Sequence, residues 1–474
     1  MNIFTKIFFH FYSFLLATLP TSRFTEGIIE QPRSFLPTQA RNQTEKTVSS
    51  LIFRGLFKHD IYGTAIPDLA DTWEVSEDGL IYTIKLRENQ YWTNGKKISS
   101  DDLIYTSFKS NDLAGVATDK VDDLTVRFTL PNKYAPFLSL LTVGIMPANA
   151  EEELNPLLPV SSADFRVVRV ERSGDLVRKI ILANTNPKAN LKKLVFKFYS
   201  NDDELVTAAK LGEIDAFSLG GITDEVTNFI DYKYPVQGIY YSLYFNLRNE
   251  KFEEKVFRQR LEGVLSMENL IAEEGIAVQG PVSRSLFTDR GINFDKYDKD
   301  IKDDYDNLVI EISVPDVKDH VDLVKHIKEV WESKLNLDVK IKVVDPDVII
   351  KDVIETRNFE ILFYGQEVGR DPDRYVLWHS AQKKHPGLNI TGFEQIRADR
   401  ALEEGRNELE NEDRLVHYSE FQKVVVEEVP AIFLYHPYSH HYITQNIIGI
   451  GEKYTFTYAD RFLDFNLWKK EKIK

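Results

Sequence analysis

Between residues 308 and 364 the chain alternates element types at a spacing that a layered α/β sheet satisfies. Residues 308–314 (LVIEISV) read as an apolar, β-branched strand. Residues 316–335 follow with Val317, Val321, Val324, Ile327, Trp331 and Leu335 at helical spacing on one face. A second strand spans 339–344, Asp345 or Asp347 caps a helix that reaches Thr356, and a third strand spans 359–364. Connections of this length predict a mostly parallel sheet with helices on both faces. Helices over 394–407 and 413–429 cover that sheet, Pro430 stops the second, and 431–436 form a last central strand before the chain returns through 438–443.

A second block, 51–108, reads as strand, turn, strand, turn, helix. Residues 80–86 alternate apolar and polar, Glu77-Asp78-Gly79 and Asn94-Gly95 are turn signals, and Ser99 or Ser100 caps a helix beginning at Asp101-Asp102. Trp73, Tyr82, Tyr91 and Trp92 are its expected core. The ordered set Pro67, Trp73, Asp78, Gly79, Leu86, Arg87, Trp92, Gly95, Asp101 and Asp102 resembles the signature segment of the family 5 extracellular solute-binding proteins, the peptide-, dipeptide- and nickel-binding components of ABC importers. Further stretches are similar to that family: QPR at 31–33, YAPFL at 134–138, GIMP at 144–147, LGEIDAF at 211–217 and YYSLYFN at 240–246, the last resembling its crossover strand.

The resemblance implies an α/β fold, periplasmic-binding-protein-like type II (cluster C): two lobes, an inserted α+β subdomain and interlaced chain crossings. On this reading residues 1–22 are a signal peptide or N-terminal membrane anchor. Lobe I takes 23–50, 151–245 and 437–474, the inserted subdomain takes 51–150, and lobe II takes 246–436. The residues at the start fit: Lys6 precedes an apolar run from Ile7 to Leu19, the length of a signal-peptide core. Within lobe I, 194–199, a helix bearing Leu205, Ala208, Ala209 and Leu211, and 214–217 form a βαβ unit closed by Gly212; Asp215 either faces the cleft or serves as a turn carboxylate.

Composition narrows the function classes. Lys+Arg of 59 against Asp+Glu of 74 leaves a net charge of −15, which opposes nucleic-acid binding and docking on anionic lipid. With no cysteine, disulfides, thiolate metal sites and lipidated cysteine are excluded. No phosphate loop, Gly-x-Ser-x-Gly elbow or dinucleotide fingerprint is present, and no carboxylate spacing completes a zinc site around His379, His436, His440 and His441. The chain is expected to be no enzyme and to need no cofactor.

In open α/β sheets ligands sit beyond the carboxyl ends of strands. The strand ending at Tyr364 runs into Gly365-Gln366-Glu367-Val368-Gly369-Arg370-Asp371-Pro372-Asp373, a glycine-bearing, acidic loop. The resemblance implies that an acid here holds a peptide's α-ammonium, Glu367 first and Asp371 second; a plain turn over Asp371-Pro372-Asp373 stays open. Arg370 and Arg374 either receive a ligand carboxylate or neutralise these acids, and Trp378 is a cleft wall or core. One stretch departs from the family: 159–166 (PVSSADFR) lacks the glycine-rich turn of relatives. The implied function is an extracytoplasmic receptor, a monomer, that captures short peptides by hinge closure for an ABC permease. Alternatives are a nickel-chelate or other solute receptor of the same fold, or a surface chaperone or scaffold with a degenerate pocket.

Overall fold

The computed structural model describes residues 22–471 apart from 61–62, 149, 151–154, 220–222, 224, 283–304, 306–307 and 454. The expected export segment and most of the charged run at 289–306 lie outside the described residues.

A 12-stranded sheet forms the frame. Its strands are β1 (Arg23–Ile28), β2 (Phe165–Ser173), β3 (Leu176–Asn184), β4 (Lys193–Phe198), β5 (Ala216–Leu219), β6 (Phe229–Pro235), β7 (Ile239–Phe245), β8 (Gly275–Ala277), β9 (Val309–Pro315), β10 (Asp338–Val344), β11 (Ile361–Glu367) and β12 (Ala431–Thr444). The main order is β10-β9-β11-β7-β12-β5-β1-β4-β3-β2, with β6 and β8 also on β12. The predicted βαβαβ run is present and parallel across β10, β9 and β11. The sheet as a whole is mixed rather than mostly parallel, because β7 and β12 run antiparallel to their neighbours.

β12 belongs to both halves of the molecule. Residues 431–435 pair with β7, and 438–444 pair with β6. The second crossing is the three-residue link between β6 and β7, Val236-Gln237-Gly238. The crossing therefore lies before Tyr240–Asn246, which pairs with β11 in the second half. The two crossings touch: Val236 N–H donates to Pro437 O at 2.8 Å. The C-terminal segment backs them, with Gly238 N–H donating to Phe456 O (2.8 Å) and Gln237 N–H to Thr455 O (3.3 Å).

Separate cores fill the two halves. In the second, one sheet face packs Trp331, Val324 and Ile327 of the helix Lys318–Leu335, with Trp331 Nε1–H donating to Leu261 O at 2.8 Å. The other face packs Phe421, Val425 and Leu402 from the helices Asn411–Glu428 and Ile396–Asn407. Val317 lies before the first helical residue and is 40 % exposed, so it is not part of the inward stripe. The first half packs its sheet against a four-stranded subdomain sheet whose core holds Tyr82, Trp92 and Phe128. Trp73 (38 % exposed) and Tyr91 (47 %) are not core as expected. Trp73 stands on the edge strand Ala70–Val75 and meets only the rim of the core, edge-on to Phe57 at 5.3 Å. Leu211 likewise lies past the end of helix Asp202–Lys210 and is 70 % exposed.

Gly238 is glycine for a steric reason: a Cβ there would lie 2.6 Å from Phe456 O. Gly238→Ala must push the C-terminal segment off the crossing, at a cost of about 1–3 kcal/mol. We expect a lower urea midpoint for this variant; a midpoint equal to wild type contradicts the close approach.

Candidate functional site

A crevice runs between the halves, and an open cavity of about 980 Å³ lies along its first-half side. Its first-half wall comes from the helix α1 (Gln43–Ile52), from Phe57–His59 and from the turn Tyr458–Phe462. Arg370 enters from the second half. Asn42 and Glu45 form a capping box that starts α1, and the Glu45 carboxylate also accepts the backbone N–H of Arg33 and Arg41. That anchorage sets Lys46, one residue on, at the cavity wall. A second box, Thr457 and Asp460, starts the other turn.

Two ion pairs cross the crevice in opposite senses. Lys46 Nζ of the first half reaches Glu367 Oε1 at 2.8 Å and Oε2 at 3.1 Å. Arg370 Nη2 of the second half reaches Asp460 Oδ2 at 2.6 Å, and its guanidinium lies 4.7 Å from the Phe456 ring centre. Farther out, Ala135 N–H of the subdomain donates to Arg406 O (2.8 Å), and the Arg406 guanidinium lies between the Tyr134 and Tyr375 rings. A second cavity of about 640 Å³ opens there, walled by Tyr134, Phe137, Tyr375 and Glu403.

The expected ligand loop divides into one crevice residue and a structural knot. The strand runs past the expected end, so Tyr364, Gly365, Gln366 and Glu367 are all in β11. Gly365 faces the Tyr241 ring, where a Cβ would sit 2.8 Å from Cζ, and Tyr364 packs on the core. Gln366 donates to its neighbour, Glu367 O (2.9 Å). Glu367, the last strand residue, is at the crevice. Asp371 turns away from it, accepting Arg414 Nη2 at 2.7 Å and Asp373 N–H at 2.9 Å. Asp373 pairs with Arg406 at 2.9 Å. Buried Arg374 holds the turn by donating to the carbonyls of Gly369, Asp371, Asp373 and Pro281. Trp378 is 2 % exposed, packed among Tyr244, Phe393 and Phe433, so it is core and not wall.

Other singled-out residues are engaged. Asp215 accepts Thr25 N–H and pairs with Lys470. His379 contacts Glu403, and His440 contacts Asp231. Among the described residues no group of three or more His, Asp or Glu is placed to hold a metal. The departed turn is a seam: Ser161 exchanges hydrogen bonds with Thr93, Ser162 Oγ accepts Arg54 N–H (2.9 Å), and Ala163 lines the cavity. Lys46 and Asp460 went unnoticed in the sequence, although Asn42-x-x-Glu45 and Thr457-x-x-Asp460 are capping signatures that flag the elements carrying them.

The model for bacterial extracellular solute-binding proteins, family 5 middle, matches residues 64–265. The oligopeptide-binding protein AppA of Bacillus subtilis is 21% identical over 480 residues, covering 89% of this chain and 88% of its own. Residues 64–265 thus carry the middle portion of this family. Solved structures place the chain in the type II periplasmic-binding-protein fold. NikZ of Campylobacter jejuni in complex with Ni(L-His) superposes with a TM-score of 0.73 at 21% identity, covering 95% of this chain and 100% of that one. AppA of B. subtilis in complex with a nonapeptide gives 0.71 at 19% identity, covering 95% and 99%.

The electrostatics behind the crevice predict a loss of stability in acid. Next to Asp460, Arg461 turns inward to Glu26 (2.8 Å), which is fully buried and 3.4 Å from His441. Burial alone would raise the Glu26 carboxyl, but Arg461 and His441 outweigh it and bring it down to about 2 from an ordinary 4.5. Burial, reinforced by Arg370, lowers His59 from 6.5 to about 4. Burial also lowers His441. The unfolded chain binds the extra protons in each case, so stability held at neutral pH is lost as pH falls. The His59 share is lost between 6.5 and about 4, and the Glu26 share between 4.5 and about 2. Urea titrations at successive pH values should show a steady decline below pH 6.5, and a flat profile from 7 to 4 contradicts it. Arg461→Met, which strands a buried carboxylate, should cost about 3–5 kcal/mol at pH 7.

Proposed function

We propose that this chain is the solute receptor of an ABC importer, capturing short peptides by closure of its two halves, without making or breaking bonds. The observation that carries the reading is the crevice where the two halves meet: charged groups of both signs face each other across it, and a cavity of about 980 Å³ opens along its first-half side. The family match over residues 64–265 and the peptide-binding names of relatives support it. Closure is driven by differential affinity, because ligand contacts made by both halves exist only in the closed form. The peptide's amino end sits on Glu367, the one predicted acid that reaches the crevice; Asp371 is committed to Arg414. An ammonium there makes a charge-assisted hydrogen bond.

In this reading lobe I is 22–50 with 155–235 and 438–471, the inserted subdomain is 51–150, and lobe II is 239–436. The protein acts outside the cytoplasmic membrane, exported by its N-terminal apolar run, as a monomer that delivers to a permease. No helix among the described residues is long and apolar enough to cross a membrane.

Calorimetry and thermal unfolding with free-amine and N-acetylated tri- to pentapeptides test this, with Ni(L-His) as a parallel arm. A peptide at a hundred times its Kd should add about 2.7 kcal/mol of stability. Glu367→Gln should weaken free-amine peptides about tenfold and leave N-acetylated ones within about twofold. No peptide response, or a response to the nickel chelate alone, overturns the peptide reading; equal loss for both peptide classes removes Glu367 from the site.

A further inference from the structure

The Lys46–Glu367 pair has the form expected of a bound amine. An alkylammonium sits on both oxygens of the acid (2.8 and 3.1 Å), and it is delivered from across the crevice by a residue 321 positions away. Each end stands on a fixed stretch of backbone. Lys46 stands on a helix whose start is fixed by a capping box and lines the cavity. Glu367 ends a strand held in register against Ile239. Among the described residues, Lys46 is the cation given to Glu367. Both side chains keep substantial water contact, 40% and 61% exposed, so the pair is weak enough to be exchanged.

We infer that Lys46 is a specificity-determining residue: its ammonium occupies Glu367 as a surrogate for the ligand's amino end, and every free-amine ligand must displace it. This rests on the reading of Glu367 as the ammonium acceptor. The consequence is selective. A ligand with a free amine exchanges one cation for another on Glu367, so much of that contact's worth cancels. A ligand with a blocked amine leaves the pair intact. Lys46 therefore narrows the discrimination between free and blocked amino termini and broadens the range of ligands the crevice accepts. The same pair also links the halves; a free-amine ligand breaks that link and a blocked one keeps it, so its contribution to closure is part of the measured ratio.

The test is a mutant cycle read as that ratio, Kd of an N-acetylated tetrapeptide over Kd of the same peptide with a free amine, measured by calorimetry. Lys46→Met should raise the ratio about two- to fivefold, the span expected of an exposed ion pair. Glu367→Gln should bring the ratio close to one, and Lys46→Met added to Glu367→Gln should leave it there. A ratio unchanged by Lys46→Met, while Glu367→Gln still collapses it, overturns the role of Lys46 and leaves the ammonium site standing. A ratio unaffected by Glu367→Gln overturns both. A structural role for Lys46 would move the unfolding midpoint and both affinities together, with the ratio fixed.

Discussion

One fourteen-residue strand, Ala431–Thr444, is hydrogen-bonded into both halves of the molecule. A strand keeps its ladder only if its neighbours accept its register, so the two halves inherit a common sheet and a common twist from it. The second crossing, Val236-Gln237-Gly238, lies against the same point through the Val236–Pro437 hydrogen bond. Each half still builds its own core, with Phe456 as the first-half side chain that joins a second-half cluster. The chain links between the halves are then gathered at one place, away from the ion pairs that span the crevice.

Charge is distributed to suit that arrangement. The loop after β11 carries several acids and arginines, and most are spent internally: Asp371 on Arg414, Asp373 on Arg406, Arg374 on four carbonyls. Buried ions of this kind tolerate loss of a partner poorly, which makes the loop a rigid platform. Glu367 and Arg370 are the members that reach the crevice, and each finds its counter-ion on the other half. The subdomain adds a third contact across the gap through Tyr134 and Arg406.

Periodicity made the second half legible. The 308–364 alternation carries its register in the spacing of Val324, Ile327 and Trp331, and all three are buried where that spacing puts them. Gly212 and Asp345 mark helix ends through local backbone chemistry, and both stand at those ends. Features set by distant neighbours leave no local signal in the sequence. Trp73 and Tyr91 look like core residues, but Trp73 stands on an edge strand and Tyr91 on an isolated bridge to Lys97 outside the sheet, and both are exposed. Asp371 looks like Glu367 in composition; only the fold brings Arg414, 43 residues on, against it. The pairing of Lys46 with Glu367 is equally invisible, because nothing local links residues from opposite halves.

The C-terminal stretch around Thr455 and Phe456 lies along the joint like a splint, tied to Pro235, Gln237 and Gly238 through backbone and hydroxyl groups. Phe456 also carries the stacked guanidinium of Arg370, and its neighbour turn holds the acid that same arginine grips. Pivot and mouth are thus wired to one short ribbon of chain. Stiffness at the elbow and the ease with which the jaws part are therefore not separable properties, and sequence drift in that ribbon would retune both at once.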